Sequence, residues 1–178
     1  GLRVDEIAGG WKTSSFDALL RLSEESRGAA LMLYHSYSGE PGNESVMESV
    51  LSNELCLFET DVALKSKGYP NPTGLGAFPK ILGNYVREKK LFSMEDAIER
   101  MTGLSAERFG LKDRGVVASG KAADLVVFDP NEISDTPPIG SAPTGKPKGI
   151  KHVFINGEQV VKDGSYIKDA RAGKVLRT

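Results

Sequence analysis

An apolar run that ends in two acids is the first place in this sequence where chemistry could occur. The run Leu55-Cys56-Leu57-Phe58 is followed directly by Glu59, Thr60 and Asp61. A short apolar run bounded by polar residues is typical of a strand buried on both faces, as parallel strands are. Parallel sheets and barrels carry their chemistry at the carboxyl ends of such strands. Asp61 is therefore a candidate catalytic residue, and the alternative is that Asp61 accepts hydrogen bonds from its own loop.

His35 follows a second apolar run, residues 29–34, and is the next candidate. An amphipathic pattern over Glu44–Leu51 predicts a helix between the two runs, so a right-handed crossover would bring both strand ends to the same rim. There His35 could ligate a metal, orient a substrate or, as isolated histidines more often do, hydrogen-bond a loop carbonyl. His152 lies inside an alternating run and is predicted to be structural.

The composition limits the possible partners. Among 178 residues, 23 are basic and 24 are acidic, which leaves a net charge of −1. That balance favours neither nucleic acid nor an anionic membrane, and small molecules or proteins are the expected partners. No run approaches the ~20 apolar residues of a membrane span. A single cysteine excludes an internal disulfide and fits a reducing compartment, so we expect a cytoplasmic protein.

Helical signals dominate the first 112 residues. The stretch 62–77 is dense in glycine and proline, which predicts a binding or covering loop and excludes a helix. Elsewhere, capping boxes and apolar spacing predict four helices, over Val4–Gly10, 15–26, Phe78–Arg87 and Ser93–Met101, and a further turn over Ser105–Phe109. Gly9-Gly10 should stop the first helix, and Ser14 is the predicted N-cap of the second.

Strand signals replace the helical ones after Lys112. Candidate strands lie within residues 120–130, at 150–155 and at 158–162, and residues 131–149 form an irregular excursion. Asn156-Gly157 stands between the last two strands. This dipeptide is the strongest short signal for a hairpin with a type I′ turn.

Several separated motifs resemble one known family. Residues 101–111 (MTGLSAERFGL), then Asp113-Arg114-Gly115, then residues 120–130 (GKAADLVVFDP) resemble the C-terminal signature of the amidohydrolase superfamily. The match is to its D-aminoacylase (N-acyl-D-amino-acid deacylase) branch. Residues 76–85, 149–157 and 173–176 also resemble that branch, in the same order along the chain.

The resemblance implies an α/β fold: the last two βα units of a TIM-type barrel, followed by strands of a small β-sandwich domain. Residues 1–112 would belong to the barrel and residues 113–178 to the small domain. The runs 29–34 and 55–58 would be barrel strands seven and eight. The family holds one or two divalent metals, usually zinc, and Asp61 matches the aspartate that contacts a metal and activates the hydrolytic water. The implied reaction is hydrolysis of an amide C–N bond in a small molecule, most simply an N-acyl-D-amino acid.

Two departures from the family pattern concern the substrate. Thr60-Asp61-Val62 stands where the family has Ser-Asp-Gly, and Asn71-Pro72-Thr73 stands where many members have His-Pro-Arg. The basic groups expected in this loop are absent. Tyr69, Asn71 and Thr73, with His35, are the candidate substrate contacts that this chain offers.

The family's other metal ligands, which include an early His-x-His pair, have no counterpart in this chain, which also begins with Gly1 rather than methionine. We therefore expect the C-terminal third of an enzyme, inactive by itself and a partner of the missing N-terminal barrel segment. Unpaired sheet edges would favour a homo-oligomer. The alternatives are a cyclic amidohydrolase resembling dihydroorotase or hydantoinase, and a non-enzymatic binding or assembly module.

Overall fold

The computed structural model of the chain describes residues 2–28, 43–60, 72–135 and 146–176. The chain divides into two compact units, Gly1–Met47 and Glu48–Thr178. The sequence also predicts a boundary near residue 112, between the barrel segment and the small domain. That boundary stays a prediction.

Two whole helices and the start of a third, α3 (Ser45–Leu51), lie in the described part of the first unit. Helix α1 (Val4–Trp11) runs through Gly9-Gly10 and ends at Lys12, which adopts a left-handed conformation with φ 53°. The prediction that the two glycines stop this helix was wrong by one residue. Helix α2 (Ser15–Glu25) begins as predicted, because the Ser14 hydroxyl accepts a hydrogen bond from the Asp17 backbone N–H at 3.0 Å.

The remaining helices lie between residues 45 and 108. They are α3 (Ser45–Leu51), α4 (Pro72–Lys80), a π-helix that we call π1 (Ile81–Glu88), α5 (Met94–Met101) and α6 (Gly103–Arg108). The capping box predicted for α5 is present: the Ser93 hydroxyl accepts from the Asp96 N–H at 3.0 Å, and the Asp96 carboxylate accepts from the Ser93 N–H at 3.3 Å. Helix α6 begins at Gly103, two residues before the predicted turn.

Helix α4 contradicts the prediction of no helix over residues 72–77, whereas residues 62–71 of the same predicted loop lie outside the described residues. Pro72 is its first residue, a position where the missing N–H of proline costs no helical hydrogen bond. Gly76 interrupts the helix with φ −166° and ψ 18°, so two short helical pieces meet at a kink. The glycines therefore bend the segment rather than prevent helix formation.

The π-helix π1 presents the apolar face that the sequence predicts. Ile81, Leu82, Tyr85 and Val86 are all buried. The wider turn is visible at its end, where the Lys89 N–H donates to the Asn84 carbonyl five residues earlier, at 2.8 Å. Apolar spacing predicts helical burial but does not distinguish an α-helix from a π-helix, which is rare and often occurs at functional sites.

The strand predicted over 55–58 is not present. Residues 56–60 have no regular secondary structure, and Leu55 is 75% exposed. A strand requires a hydrogen-bonded neighbour, and no strand of the described residues pairs with this segment. The predicted neighbour, residues 29–34, lies outside the described residues.

Four strands form one antiparallel sheet in chain order. They are β1 (Leu125–Phe128), β2 (Ile150–Ile155), β3 (Glu158–Lys162) and β4 (Ser165–Tyr166). The bounds of β2 and β3 match the prediction, and Asn156 and Gly157 have φ 49° and 85°, which confirms the type I′ turn. Strand β4 was not predicted, although Asp163-Gly164 repeats the same turn chemistry with φ 49° and 70°.

Ile133 joins the sheet to the helices within the second unit. It is 2% exposed and packs with Leu82, Val86 and Ala97, against which Phe128 and Ile150 also pack. The Arg87 guanidinium donates to the Ile133 carbonyl at 2.6 Å. Residue 133 thus connects π1 and α5 to strands β1 and β2.

In the portions of the chain that the structure describes, the helices are too short or too polar for a membrane span.

Candidate active site

Most residues that the sequence analysis selected for chemistry fall outside the described residues. These are His35, Asp61, Tyr69 and Asn71. Thr73 is the second residue of α4, and its side chain is not described. The structure therefore does not test the grouping of these five residues, which stays a prediction. What it does describe is the segment that leads to Asp61, residues 51–60, which we call the approach segment.

A tight turn begins the approach segment. The Asn53 side-chain oxygen accepts a hydrogen bond from the Leu55 N–H at 2.9 Å, and the Asn53 carbonyl accepts from the Cys56 N–H at 3.0 Å. An asparagine that binds the backbone two residues later is a common way to form a turn. The turn reverses the chain after α3 and directs residues 56–60 back toward the helices.

Phe58 anchors the far end of the approach segment. It is 8% exposed and belongs to a buried cluster with Ile81 and Tyr85 of π1. Its ring stacks on that of Phe92, with centroids 5.9 Å apart and ring planes at 27°. Such a ring pair contributes about 0.5–1.5 kcal/mol beyond the burial of its surface. Phe58 is thus fixed three residues before Asp61.

Arg100 of α5 contacts both ends of the approach segment. Its guanidinium carbon lies 4.8 Å from the ring centroid of Phe92 and 5.7 Å from that of Phe58. Its Nη1 donates a hydrogen bond to the Leu51 carbonyl at 2.6 Å, and the residue as a whole is 8% exposed. Within residues 2–28, 43–60, 72–135 and 146–176, it is the one charged residue that is buried.

Sequence reasoning missed Arg100, although a signal was present. Arg100 follows Ala97 by three residues, and residues so spaced share a helix face. Ala97 is fully buried and Arg100 lies on the same side of α5. An arginine on the apolar face of a helix is an unusual position, and that position was the available signal.

The capping box at the start of α5 holds this helix, and with it Arg100. The hydrogen bond with the Ser93 hydroxyl, together with the Ser93 backbone N–H, lowers the pKa of Asp96 below its usual range. A carboxylate in the first turn also interacts favourably with the helix dipole. Asp96 is therefore more acidic than a free aspartate, and its charged form stabilises the helix start.

The described residues do not by themselves make up a metal site. Among them, no group of three or more histidine, cysteine, aspartate or glutamate side chains could hold a metal ion. His152 is occupied within its own hairpin: its Nδ1 accepts from the Asp163 N–H at 3.3 Å and lies 3.3 Å from the Gln159 amide. These contacts agree with the structural role predicted for His152.

The structure also contains an open cavity of about 660 Å³ in the sheet region. It is lined by residues 166–173 with Ile155 and Val160. None of these residues belongs to the approach segment or to the candidates selected from sequence. The cavity therefore lies apart from the predicted chemistry.

Comparison with known proteins identifies the family. The amidohydrolase family model matches residues 69–161, which is more than half of the chain. The chain belongs to the amidohydrolase family. The matched range contains π1, α5 and most of the sheet, so Arg100 and Ile133 of this amidohydrolase chain both lie within it.

Individual relatives extend the similarity over the whole chain. The chain is 34% identical over 177 residues to an N-acyl-D-glutamate deacylase of Alcaligenes xylosoxydans xylosoxydans, an alignment that covers 99% of this chain and 33% of the relative. The chain is also similar to the crystal structure of an N-acyl-D-glutamate deacylase from Bordetella bronchiseptica complexed with zinc and a phosphonate inhibitor. The TM-score is 0.78 and the sequence identity is 31%, and the match covers 100% of this chain and 35% of that one.

A D-aminoacylase structure concerned with a binuclear metal centre gives a TM-score of 0.81 at 32% identity, again over 100% of this chain and 35% of that one. These similarities confirm the resemblance to the D-aminoacylase branch. The chain spans about a third of the length of the curated deacylase that it matches over 99% of its residues.

Proposed function

We propose that this chain is the part of a metal-dependent amidohydrolase that carries Asp61, and that the complete enzyme cleaves the amide C–N bond of an N-acyl-D-amino acid. The observation that carries the proposal is similarity along the full chain to deacylases of that substrate class. The finer architecture belongs to the same proposal. Residues 1–112 would form the C-terminal segment of a TIM-type barrel, and residues 113–178 would form strands of the small β domain.

In this proposal Asp61 moves the proton. Its carboxylate takes a proton from the hydrolytic water and delivers it to the leaving amine. A divalent metal such as the zinc of the related deacylase, when bound, lowers the pKa of that water. A zinc site needs three or more protein ligands. The sequence has no counterpart of the family's other ligands, such as the His-x-His pair, so in this proposal they come from outside this chain. The 178-residue chain alone should then be inactive.

The contacts to the substrate are proposed for His35, Tyr69, Asn71 and Thr73. Three of them lie between Asp61 and the first turn of α4, in the part of the sequence where loops after a barrel strand form binding sites. Because Asn71 and Thr73 stand where many family members have a histidine and an arginine, these two positions would bind the substrate through hydrogen bonds rather than through an ion pair.

The test begins with the native polypeptide that contains this chain. That protein, loaded with zinc, is assayed on N-acetyl-D-amino acids, on the L-enantiomers and on dihydroorotate. We expect hydrolysis of the D-substrates, and Asp61→Asn should lower kcat by about 10²–10⁴-fold because the variant cannot accept the proton. Glu59→Gln is the matched control, since Glu59 is an exposed acid two residues earlier, and its kcat should stay within about twofold of wild type.

Three results would contradict the proposal. Full activity of Asp61→Asn would remove Asp61 from the mechanism. Turnover of dihydroorotate without turnover of the N-acyl substrates would favour a cyclic amidohydrolase. No turnover of any amide by the zinc-loaded native protein would favour a non-enzymatic module.

A further inference from the structure

We propose that Arg100 is a positioning residue that fixes the approach segment, residues 51–60, and so sets the point from which Asp61 extends. The catalytic meaning of this inference rests on the proposed function, because it takes Asp61 as the residue that moves the proton. The effect of Arg100 on the segment is independent of any catalysis and is measured separately below.

One cation engages two points of the approach segment that are seven residues apart in sequence. Arg100 donates to the carbonyl of Leu51 at 2.6 Å, and its guanidinium lies over the rings of Phe58 and Phe92. A hydrogen bond from a charged donor and a partly desolvated cation–π contact each stabilise more than their exposed equivalents. Loss of the guanidinium would release both points together.

Packing alone does not account for an arginine at this position. Arg100 is 8% exposed, and no described carboxylate lies within ion-pair distance of it, although its charge contributes to the lowered pKa of Asp96. A buried charge without an ion-pair partner costs free energy that a leucine or methionine would avoid. The planar guanidinium can stack on rings and donate from its edge at the same time, which neither an apolar side chain nor an ammonium group can do in full.

Arg87 provides a matched comparison within the same unit. Its Nη1 also donates to a backbone carbonyl at 2.6 Å, that of Ile133. Its side chain is 28% exposed and pairs with Glu88, with Nη2 and Oε1 3.2 Å apart. Arg87 thus makes the same type of hydrogen bond at a place that does not touch residues 51–60. Removing Arg87 tests the general effect of losing a partly buried arginine that donates to a backbone carbonyl.

Cys56 is a natural reporter of the approach segment. It is the single cysteine of the chain, it is half-buried, and it packs against the cluster of Phe58, Ile81 and Tyr85. Because Cys56 is partly covered by that cluster, its thiol should react faster with a reagent such as dithiobis(nitrobenzoic acid) when the segment opens. The rate of that reaction in the 178-residue chain therefore measures how firmly the segment is held.

The experiment compares Cys56 labelling rates in wild type, Arg100→Met, Arg100→Lys and Arg87→Met, with urea denaturation of each. We expect Arg100→Met to react about tenfold faster than wild type. Arg100→Lys keeps the positive charge and a hydrogen-bond donor but loses the planar guanidinium. Its labelling rate should therefore be intermediate, about threefold faster than that of wild type. Arg87→Met should label at the wild-type rate even if its denaturation midpoint falls.

The inference is overturned if Arg100→Met labels at the wild-type rate, or if Arg87→Met accelerates labelling as much as Arg100→Met does. It is also overturned if Arg100→Lys and Arg100→Met label at the same rate, because equal rates would indicate that only the packing volume at position 100 matters. If Arg100→Met does not fold, Arg100→Lys decides: faster labelling at an unchanged denaturation midpoint supports the inference, and an unchanged rate overturns it.

A kinetic measurement links the inference to the proposed function. In the native zinc-loaded polypeptide, Arg100→Lys should lower kcat by about tenfold and leave KM within twofold, because it displaces the base and not the substrate contacts. If the wild-type polypeptide hydrolyses no amide, the proposed function fails while the Cys56 rates still decide the role of Arg100. An unchanged kcat in a variant with faster labelling would show that the segment does not position Asp61.

Discussion

Asp96 and Ser93 bind each other at the start of α5, the helix that carries Arg100. Their reciprocal hydrogen bonds lower the pKa of Asp96, chiefly through the Ser93 hydroxyl. A group whose pKa is lower in the folded state than in the unfolded state stabilises the fold above its unfolded pKa. This contribution is lost as the pH falls through the folded pKa.

Asp96→Asn should therefore weaken the acid dependence of stability. We expect the variant to be less stable than wild type at neutral pH, because the charged acceptor at the helix start is lost. As the pH is lowered below the usual aspartate pKa, the free energy of unfolding of the variant should decrease less steeply than that of wild type. Urea denaturation at a series of pH values measures both effects. Glu99→Gln, an exposed acid of the same helix, is the control and should keep the wild-type pH dependence.

Residue-level signals predicted some of these roles and missed others. The capping box at Ser93 was readable because its two partners are three residues apart. Arg100 was not selected, since its partners Leu51 and Phe58 are more than forty residues earlier and only the fold brings them to it. The predicted grouping of Asp61 and His35 assumes a pairing of strands that no local pattern specifies, and it stays a prediction.

Elements defined by local chemistry were predicted well. The Ser14 cap of α2 and the hairpin of β2 and β3 follow from residues adjacent in sequence. The strand expected at 55–58 was wrong because pairing, unlike capping, depends on another part of the chain. The helix α4 was missed because glycine and proline usually interrupt helices, whereas here Pro72 begins the helix and Gly76 only kinks it.

The contact between π1 and the loop after β1 gives a prediction for a single glycine. A Cβ on Gly83 would overlap the backbone carbonyl of Ile133, and backbone cannot move aside as a flexible side chain can. Gly83→Ala should lower the free energy of unfolding by about 1–3 kcal/mol. Gly173→Ala, where a Cβ would meet nothing within 4 Å, is the control. Urea denaturation that gives equal effects for the two variants would exclude a tight contact at Ile133.

Strand β1 forms an apolar edge of the sheet that the structure describes. Strand β1 pairs only with β2 among the described strands, and Val126 and Val127 remain 56% and 47% exposed. An unpaired, apolar strand edge tends to pair with another chain. The homo-oligomer expected from sequence stays a prediction, and this edge is where it can be tested.

We expect the 178-residue chain to be a dimer or larger species in light scattering. Val126→Lys should shift it toward the monomer, because an edge lysine opposes strand pairing. Val117→Lys adds the same charge at a side chain that is 88% exposed outside the sheet, and it should leave the mass unchanged. A wild-type chain that is monomeric at all concentrations tested would contradict this prediction.

The order of the sheet also bears on how the chain folds in time. Strands β2, β3 and β4 are joined by two-residue turns, so each can form from neighbours in sequence. Strand β1 must meet β2 across residues 129–149, and Ile133 of that connection must enter the core. Closing a longer loop loses more conformational entropy before the contacts that stabilise the closed loop can form. The hairpins should therefore form early, and the arrival of β1, which completes the contact with π1, should limit the rate.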